Sequence, residues 1–480
     1  MSILVIDVGT SGVRAAVVRP DATVVAEHRV EVLPSTPVPG LVEFDAREMA
    51  DAALAVARRS LSEAGPVDGV GIANQRASTI VWERPTGVPV APGLGWQDLR
   101  TVTDCLVWQG EGLRFAPNQS ATKVAHLLDG ADPTRSRDLC VGTVDAWIIW
   151  NLTEGRVHAT DVSNAGVTGL LTADAAGWDH AVLEKLRIPL AAMPTLVDSS
   201  GPIGEATALP GAPMICGIVG DQQASLVGQG CIAPGPAKIT FGTGGMLDLV
   251  VGPQRPSFGG RGPAGTFPIV AWRRGDELIW GLEGIMLSAG TNVEWLRDDL
   301  GIIPSAAASH DVATTCTDTE GVVFVPALLG LGTPQWDFGA RGALLGVTRG
   351  SGRGHVVRAV LEGVAQRGAD LVDAAEADAA TTIPTLRVDG GMSGNPTFVQ
   401  ALADATQRPV EVSPVLEATT LGAAFLAGLA VGDWADWDEV GAAWTPREVV
   451  EPGTPLDRDR WARAVDRARE WYPELSGLDF

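Results

Sequence analysis

An aspartate and two amide side chains directly follow an apolar run in the middle of the chain. The segment Gly220-Asp221-Gln222-Gln223 comes after residues 213–219, which we predict to form a strand. Further on, the turn Phe241-Gly-Thr-Gly-Gly245 also follows a strand-like run. A carboxylate at a strand end can point into a cleft, and a Gly-Thr-Gly turn lets backbone N–H groups approach phosphate oxygens. Together the two segments predict phosphoryl transfer to a hydroxyl group.

Two more glycine turns follow predicted strands. Residues 7–14 (DVGTSGVR) offer a carboxylate, two hydroxyls and an arginine, and residues 389–395 (DGGMSGN) offer a carboxylate and an amide. Each turn alone is weak evidence, because most glycine turns after strands only reverse the chain. The chain has no Walker A lysine signature and no Gly-x-Gly-x-x-Gly with an acidic ribose partner. Turns of this kind in both halves favour a nucleotide held between two domains.

The elements that position these turns form two similar α/β units. The first unit has the predicted order strand 3–6, strand 13–18, strand 23–30, helix 46–64 and strand 67–73, with Asp45 as helix N-cap. In the second unit we predict strands at 238–241, 246–251, 269–273 and 385–388, and helices at 290–300 and 356–379. The segment 228–235 separates the units.

The length and composition exclude several classes of protein. With 480 residues the chain is too long for one ordinary core, so we expect at least two domains. The formal net charge of −23 argues against nucleic acid or an anionic membrane as partner. No signal peptide and no uninterrupted apolar run long enough for a membrane span is visible, and the five cysteines are scattered without Cys-x-x-Cys spacing. We expect a cytoplasmic protein with buried free thiols.

Further motifs occur in a fixed order along nearly the whole chain. They are residues 71–76 (GIANQR), 96–101 (WQDLRT), 142–150 (GTVDAWIIW), 155–161 (GRVHATD), 220–226 (GDQQASL), 282–284 (LEG), 330–337 (GLGTPQWD), 340–342 (ARG), 389–395 and 421–430 (LGAAFLAGLA). In these motifs and their spacing the chain resembles the FGGY carbohydrate kinase family, and within it the glycerol kinase branch.

This resemblance implies an α/β protein with the actin-like, ribonuclease-H-like two-domain fold and a nucleotide cleft between the domains. Residues 1–228 would form the acceptor-binding domain, with the first phosphate loop and the general base Asp221. Residues 229–480 would form the nucleotide-binding domain. The donor would be ATP with Mg²⁺, the metal held by Asp7 and Asp221. The residues expected to line the phosphates are Thr10, Ser11, Gly12, Arg14 and Thr243. Those expected on the nucleoside side are Gly290, Glu294, Gly391 and Asn395, with Glu294 standing where glycerol kinases carry glutamine.

The acceptor pocket is where the chain departs from the glycerol kinase pattern. The residues at acceptor-binding positions are Arg76, Ala77, Trp96, Asn118, Asp221, Gln222 and Met246. Ala77 replaces a glutamate that binds substrate hydroxyls, Asn118 replaces a tyrosine and Met246 a phenylalanine. Lys123 matches a lysine of the family. His126 stands three residues further on, where the family carries a tryptophan. A pocket with these smaller side chains favours a longer polyol or sugar over glycerol.

The sequence is also compatible with other functions. The same kinase chemistry could act on a ketopentose such as xylulose or ribulose, although the Met-His pair typical of xylulose kinases is absent. A non-kinase actin-like ATPase switch would share the fold, since fold alone does not give function. Asp221 could also serve only as a helix N-cap. We expect a small-molecule polyol or sugar as partner and no nucleic acid or membrane. A homodimer, common among relatives, is one candidate assembly.

Overall fold

The computed structural model describes residues 2–415 and 418–479, and it contains two mixed sheets flanked by helices. The strands of the first half are β1 (Ile3–Val8), β2 (Gly12–Val18), β3 (Val24–Glu31), β4 (Glu43–Phe44), β5 (Gly69–Asn74), β6 (Ile80–Glu83), β7 (Gly93–Leu94), β8 (Leu139–Gly142), β9 (Ala159–Asp161), β10 (Thr195–Val197), β11 (Ser200–Glu205) and β12 (Met214–Gly220). Its helices are α1 (Ala46–Ala64), α2 (Val102–Gly110), α3 (Ala121–Ala131), α4 (Val144–Leu152), α5 (Val162–Gly166), α6 (His180–Lys185) and α7 (Asp221–Gly228).

The second half begins at the next strand. Its strands are β13 (Ala237–Phe241), β14 (Gly245–Gly252), β15 (Phe267–Arg274), β16 (Glu277–Met286), β17 (Val323–Val325), β18 (Ala343–Leu345), β19 (Leu386–Asp389), β20 (Val410–Val412) and β21 (Glu448–Val450). Its helices are α8 (Gly290–Asp298), α9 (Ala308–Ala313), α10 (Arg353–Ala379), α11 (Pro396–Thr406), α12 (Ala418–Val431), α13 (Trp437–Ala443), α14 (Arg458–Ala468) and α15 (Pro473–Ser476). Short 3₁₀ turns occupy Leu190–Ala192 and Gly391–Gly394.

The two main sheets repeat one topology. The first has the order β11-β12-β5-β1-β2-β3, in which β1, β5 and β12 are parallel and the remaining neighbours antiparallel. The second has the order β15-β16-β14-β13-β19-β20-β21, with β13, β19 and β20 parallel. In each sheet the first strands are antiparallel and a long connection leads from them into parallel strands; in the second sheet β16 lies between β14 and β15. This arrangement confirms the α/β fold with two similar units that the sequence predicts.

The central strands are apolar because they lie in the buried core. The centre of the first sheet is apolar along β1 and β5, and α1 covers one face with its buried stripe. Asp45 caps α1 by accepting from the N–H groups of Arg47 and Glu48, as predicted from the sequence. In the second sheet, α10 lies against the strands over most of its length and is correspondingly apolar on that side.

Helices α7 and α12 join the two units. They pack directly against each other, with α7 in contact with strands of the second sheet and α12 with β1, β5 and β12 of the first. The helix axes approach closely because glycines face each other: a Cβ on Gly422 would stand 1.8 Å from the carbonyl oxygen of Ala224, and one on Gly228 would stand 2.0 Å from that of Ala418. The junction is therefore a packed apolar layer rather than a loose linker.

Most predicted elements are present within two or three residues of their expected ends, and helix α1 matches at both ends. The local sequence predicts no strand at residues 277–286, which form β16, the longest strand of the second sheet. No helix of the described chain is both long and apolar enough to cross a membrane.

Candidate active site

The carboxyl ends of the parallel strands in the first sheet bring several predicted site residues to one edge. Val8, Asn74 and Gly220 are aligned across β1, β5 and β12. Arg76 lies two residues beyond Asn74, and Asp221 directly follows Gly220. Because parallel strands end at the same edge, these side chains share one region of the molecule, as expected for ligand sites in α/β sheets.

Arg76 is the centre of this region. Its Nη2 lies 2.7 Å from Oε2 of Glu283, its Nε lies 3.4 Å from Oδ1 of Asp221, and its Nη1 donates to Oε1 of Gln223 at 3.3 Å. The arginine side chain is only 12% exposed. Glu283 belongs to β16 of the second sheet, so this guanidinium links the two units beside Asp221.

Asp221 begins helix α7 and is not its N-cap, which is Gly220. Its Oδ1 accepts from the backbone N–H of Gln222 at 2.8 Å, while the side chain remains 31% exposed. Burial raises the pKa of Asp221, and the positive charge of Arg76 opposes that rise. The carboxylate is thus partly open to solvent, with Oδ1 held by the helix and by Arg76. This geometry speaks against capping as its sole role.

Gln222 is held from the second sheet. Its Oε1 accepts from Nζ of Lys238 at 2.7 Å, and the same ammonium donates to Oγ1 of Thr240 at 3.0 Å. Lys238 also forms an ion pair of 2.7 Å with Asp248, and both side chains are fully buried. Burial raises the pKa of Asp248, and the charge of Lys238 opposes that rise. Met246 lies two residues before Asp248 along β14, on the same face of the sheet, and is half-buried.

The β1–β2 turn forms the first predicted phosphate site. Asp7 lies near the end of β1. The side chain of Trp96, half-buried, donates from Nε1 to Oγ1 of Thr10 at 3.1 Å. This contact brings one predicted acceptor residue next to one predicted phosphate residue. The residues of this turn and strand that were predicted to bind phosphate are Thr10, Ser11, Gly12 and Arg14.

The equivalent β13–β14 turn of the second sheet lies against the start of α8. The backbone N–H of Ala289 donates to the carbonyl of Thr243, and that of Gly290 donates to the carbonyl of Gly242, both at 2.9 Å. A Cβ on Gly290 would stand 2.6 Å from the Gly242 oxygen, which is why glycine is needed there. Thr243 is exposed, and Glu294 is exposed about one turn further along α8.

The third turn follows β19. Asp389 ends this strand, is 2% exposed and accepts from Oγ of Ser225 in α7 at 3.0 Å. Gly391 opens the 3₁₀ turn and is exposed. Asn395 caps α11 through its Oδ1, which accepts from the N–H of Phe398 at 3.2 Å. The described contacts give Asn395 a clear structural function, and its predicted contact with the nucleoside stays a prediction.

Ala77 and Asn118 are two of the residues expected to bind the acceptor. Ala77 is buried and has a φ of 61°, in the left-handed region, and its carbonyl accepts from the hydroxyls of Ser120 at 2.9 Å and Thr79 at 3.1 Å. Asn118 is exposed in the loop that leads to Ser120. No contact among those described joins Asn118 to Arg76 or Asp221.

Lys123 holds the backbone next to Trp96. Its fully buried Nζ donates to the carbonyls of Gly95 and Trp96, each at 2.9 Å, and burial lowers the pKa of Lys123 to about 7. The lysine therefore fixes the backbone that carries the Trp96 ring. His126, one turn further along α3, is exposed.

A divalent cation would meet oxygen ligands at this edge. Mg²⁺ is usually bound by one or two carboxylates together with waters and phosphate oxygens. Asp7 lies near the end of β1, Asp221 directly follows β12, and β5 lies between these two parallel strands. The two residues supply two such carboxylates. Within residues 2–415 and 418–479, no group of three or more histidine, cysteine or acidic side chains has the geometry of a metal site.

Three residues of the site were missed at the level of sequence. Lys238 contacts Gln222, Glu283 contacts Arg76, and Asp248 pairs with Lys238. The sequence predicts no site role for any of the three, although Glu283 lies within the motif 282–284. A signal is present in their strands: Lys238 and Asp248 are each the single charged residue of an otherwise apolar strand (AKITF and GMLDLVVG), and Glu283 is the inner of two glutamates in ELIWGLEGIM. Charged residues are seldom fully buried unless they are paired.

The chain matches two family models that together span most of it. Residues 2–228 match the N-terminal domain of the FGGY family of carbohydrate kinases, and residues 237–431 match the C-terminal domain of that family.

Individual proteins are similar over the whole length. The chain is 43% identical to the glycerol kinase of Trichlorobacter lovleyi, covering 98% of this chain and 99% of the relative. It is 40% identical to glycerol kinase 2 of Thermotoga maritima at the same coverage of both chains. Among solved structures, Plasmodium falciparum glycerol kinase with ADP superimposes with a TM-score of 0.90, at 28% identity over 97% of this chain and 98% of that one. The fold is shared with xylulose kinase from Rhodospirillum rubrum (TM-score 0.82, 22% identity, 99% of both chains).

Proposed function

Because the chain belongs to the FGGY family of carbohydrate kinases, and is an enzyme that transfers a phosphoryl group from ATP to a hydroxyl of a small polyol or sugar, we propose that Asp221 is its general base. The observation that carries this assignment is the contact of Asp221 with Arg76 at the junction of the two units. An acceptor hydroxyl bound by the guanidinium would lie within reach of the carboxylate.

The proposed reaction is an in-line transfer. Asp221 accepts the proton of the attacking hydroxyl as its oxygen bonds to the γ-phosphorus and the bond to ADP breaks. The proton ends on Oδ of Asp221, and ADP leaves with the bonding electron pair. The hydroxyl-bearing turns at Thr10 and Thr243 hold the phosphates with backbone N–H groups. Mg²⁺, bound near Asp7 and Asp221, would neutralise phosphate charge.

For the acceptor we propose a linear polyol. Two observations support this: Arg76, an expected acceptor residue, contacts Asp221, and the first two relatives compared are named glycerol kinase. Trp96, Gln222 and Met246 would complete the acceptor site. Ala77 supplies no carboxylate at its position, so a short polyol loses one charged hydrogen-bond partner. Such a bond contributes about 1.5–3 kcal/mol. Glycerol is therefore one candidate, and four- and five-carbon alditols compete with it.

A panel of acceptors tests this proposal. Release of ADP from Mg·ATP is measured with glycerol, erythritol, threitol, the pentitols, xylulose, ribulose and gluconate. A strong response to one or more linear polyols supports it. Preference for a ketopentose would move the acceptor to that class, and ATP hydrolysis independent of every acceptor would favour the ATPase switch.

The role of Ala77 gives a sharper prediction. Ala77→Glu should lower the KM for glycerol by about tenfold, the value of one charged hydrogen bond after desolvation, and should weaken the response to longer polyols. The backbone at this position is already left-handed with an L-residue, so an unbranched side chain adds little further strain. Steady-state kinetics with Ala77→Gln as an uncharged control of similar size would check it. An equal gain in both variants would contradict the charge argument.

A further inference from the structure

Three buried charged residues of the second sheet form a continuous row. Lys238 on β13 is aligned with Asp248 on β14, and Asp248 is aligned with Glu283 on β16. Residues directly opposite each other on neighbouring strands lie on the same face of a sheet. This face meets the first unit, because Lys238 contacts Gln222 and Glu283 contacts Arg76. We call Lys238, Asp248 and Glu283 the charged row.

The lysine of the charged row fixes the orientation of one amide. An ammonium group has three donors and accepts nothing. All three donors of Lys238 have partners at hydrogen-bond distance: Oδ2 of Asp248 at 2.7 Å, Oε1 of Gln222 at 2.7 Å and Oγ1 of Thr240 at 3.0 Å. Gln222 must therefore turn its oxygen to the lysine. Its Nε2, which only donates, is directed away from Lys238.

The glutamate of the charged row fixes the plane of one guanidinium. Glu283, with a side chain only 7% exposed, lies 2.7 Å from Nη2 of Arg76. Gln223 and Asp221 contact the other nitrogens at 3.3 and 3.4 Å. Since a guanidinium is rigid and planar, contacts on three of its nitrogens leave it a single orientation.

We propose that Lys238 and Glu283 are positioning residues for the acceptor, each acting through a side chain of the other unit. Lys238 makes Gln222 present a donor, Nε2, to the acceptor, and Glu283 holds Arg76 in the plane that meets the acceptor hydroxyl next to Asp221. The inference rests on the proposed acceptor-binding role of Gln222 and Arg76. It further specifies the ligand: the atom facing Gln222 is an oxygen with a free lone pair, as in a hydroxyl or carbonyl group.

A double variant separates positioning from stability. Lys238→Met alone should lower the melting temperature, because it leaves Asp248 buried without its partner. Lys238→Met combined with Asp248→Leu removes the whole charge pair and should restore the melting temperature. The acceptor KM of this double variant should stay raised about tenfold, the loss of one oriented hydrogen bond, with a smaller change in kcat and unchanged ATP binding. Lys185→Met, at an exposed position on α6, is the matched control and should change nothing.

Recovery of the acceptor KM together with the melting temperature in the double variant would overturn the proposal, since the charged row would then serve folding alone.

Removal of the oriented donor tests whether Nε2 faces the acceptor. Gln222→Met keeps a side chain of similar length but has no N–H group, so it cannot donate to the acceptor oxygen. We expect the acceptor KM to rise about tenfold, the loss of one hydrogen bond, with unchanged ATP affinity. A KM within twofold of the wild type would show that Nε2 does not face the acceptor.

The glutamate is tested by conservative rescue. Glu283→Gln should raise the acceptor KM, and Glu283→Asp should recover part of the loss, because only the latter keeps a charge opposite Arg76. Equal defects in both variants would contradict a positioning role for the charge. Turnover by the wild type with any acceptor upholds the proposed function independently of these variants. A wild type silent with every acceptor overturns the proposed function and this inference with it.

Discussion

At the scale of single residues, the motif around Asp221 carries most of the chemistry that a sequence can indicate. The strand-end carboxylate and the Arg76 segment were selected from their motifs, and the structure places them in contact. Lys238 and Asp248 lie in no motif, and Glu283 lies in the motif 282–284 without a predicted role in the site. Their partners depend on the register between strands far apart in sequence, which no local pattern encodes.

The pH dependence of turnover should report the environment of Asp221. Burial places the pKa of this carboxyl above its ordinary value, and only the ionised form can accept the proton. The value of kcat/KM should therefore fall as the pH drops through that raised pKa and should be constant just above it. In Arg76→Met the opposing positive charge is lost, the pKa of Asp221 rises further, and the acidic limb should move to higher pH.

Profiles of kcat/KM against pH for wild type, Arg76→Met and the surface control Lys185→Met would measure this shift. The position of the limb is compared, not its height, because Arg76→Met also weakens acceptor binding. A limb that stays in place or moves to lower pH would contradict the assignment of Asp221 as the titrating base.

At the scale of elements, the sequence predicts the two repeated units well because their strands and helices have strong apolar periodicity. The strand β16 was not predicted, although it supplies Glu283. Its sequence ELIWGLEGIM contains two glycines and two glutamates, which weaken the local signal for a strand. The tertiary environment decides here, since β16 lies between β14 and β15 and one of its glutamates pairs with Arg76.

The crossing of α7 and α12 depends on glycine. A Cβ on Gly422 would overlap the carbonyl oxygen of Ala224 at 1.8 Å, so Gly422→Ala must push the two helices apart. We expect a loss of about 1–3 kcal/mol in the free energy of unfolding, or more if the junction cannot adjust. Thermal unfolding would measure it.

Gly130→Ala is the matched control for this substitution. Gly130 is an exposed helical position in α3, and a Cβ added there would meet no atom within 4 Å. Alanine there should stabilise by about 0.5–1 kcal/mol, through helix propensity and a less flexible unfolded chain. Equal melting temperatures for the two variants would mean that the α7–α12 contact is not tight.

At the scale of the whole molecule, the proposed site is shared between two units of similar topology. The turns predicted for phosphate come from both sheets, and Arg76 of the first unit is paired with Glu283 of the second. An enzyme with this division can exclude water by closing its units over both substrates, which protects ATP from hydrolysis. The sequence predicts the two units, whereas their contacts become visible only in three dimensions.

Closure should be measurable as compaction. The radius of gyration from small-angle X-ray scattering should decrease when a non-hydrolysable ATP analogue, Mg²⁺ and a turned-over acceptor are all present, compared with the protein alone. The analogue with Mg²⁺ but without acceptor serves as the control and should give a smaller change. Identical scattering in all three samples would contradict closure.

The central claim is that Asp221 accepts the proton of the acceptor hydroxyl in an ATP-dependent kinase. The most direct measurement is transfer of label from γ-labelled ATP to the best acceptor by wild type and Asp221→Asn, with ATP affinity determined for both. We predict a loss of transfer of roughly 10²–10⁴-fold, typical for removal of a general base, with ATP affinity within a few-fold of the wild type. Wild-type rates of transfer in Asp221→Asn would contradict the account and would require a different base.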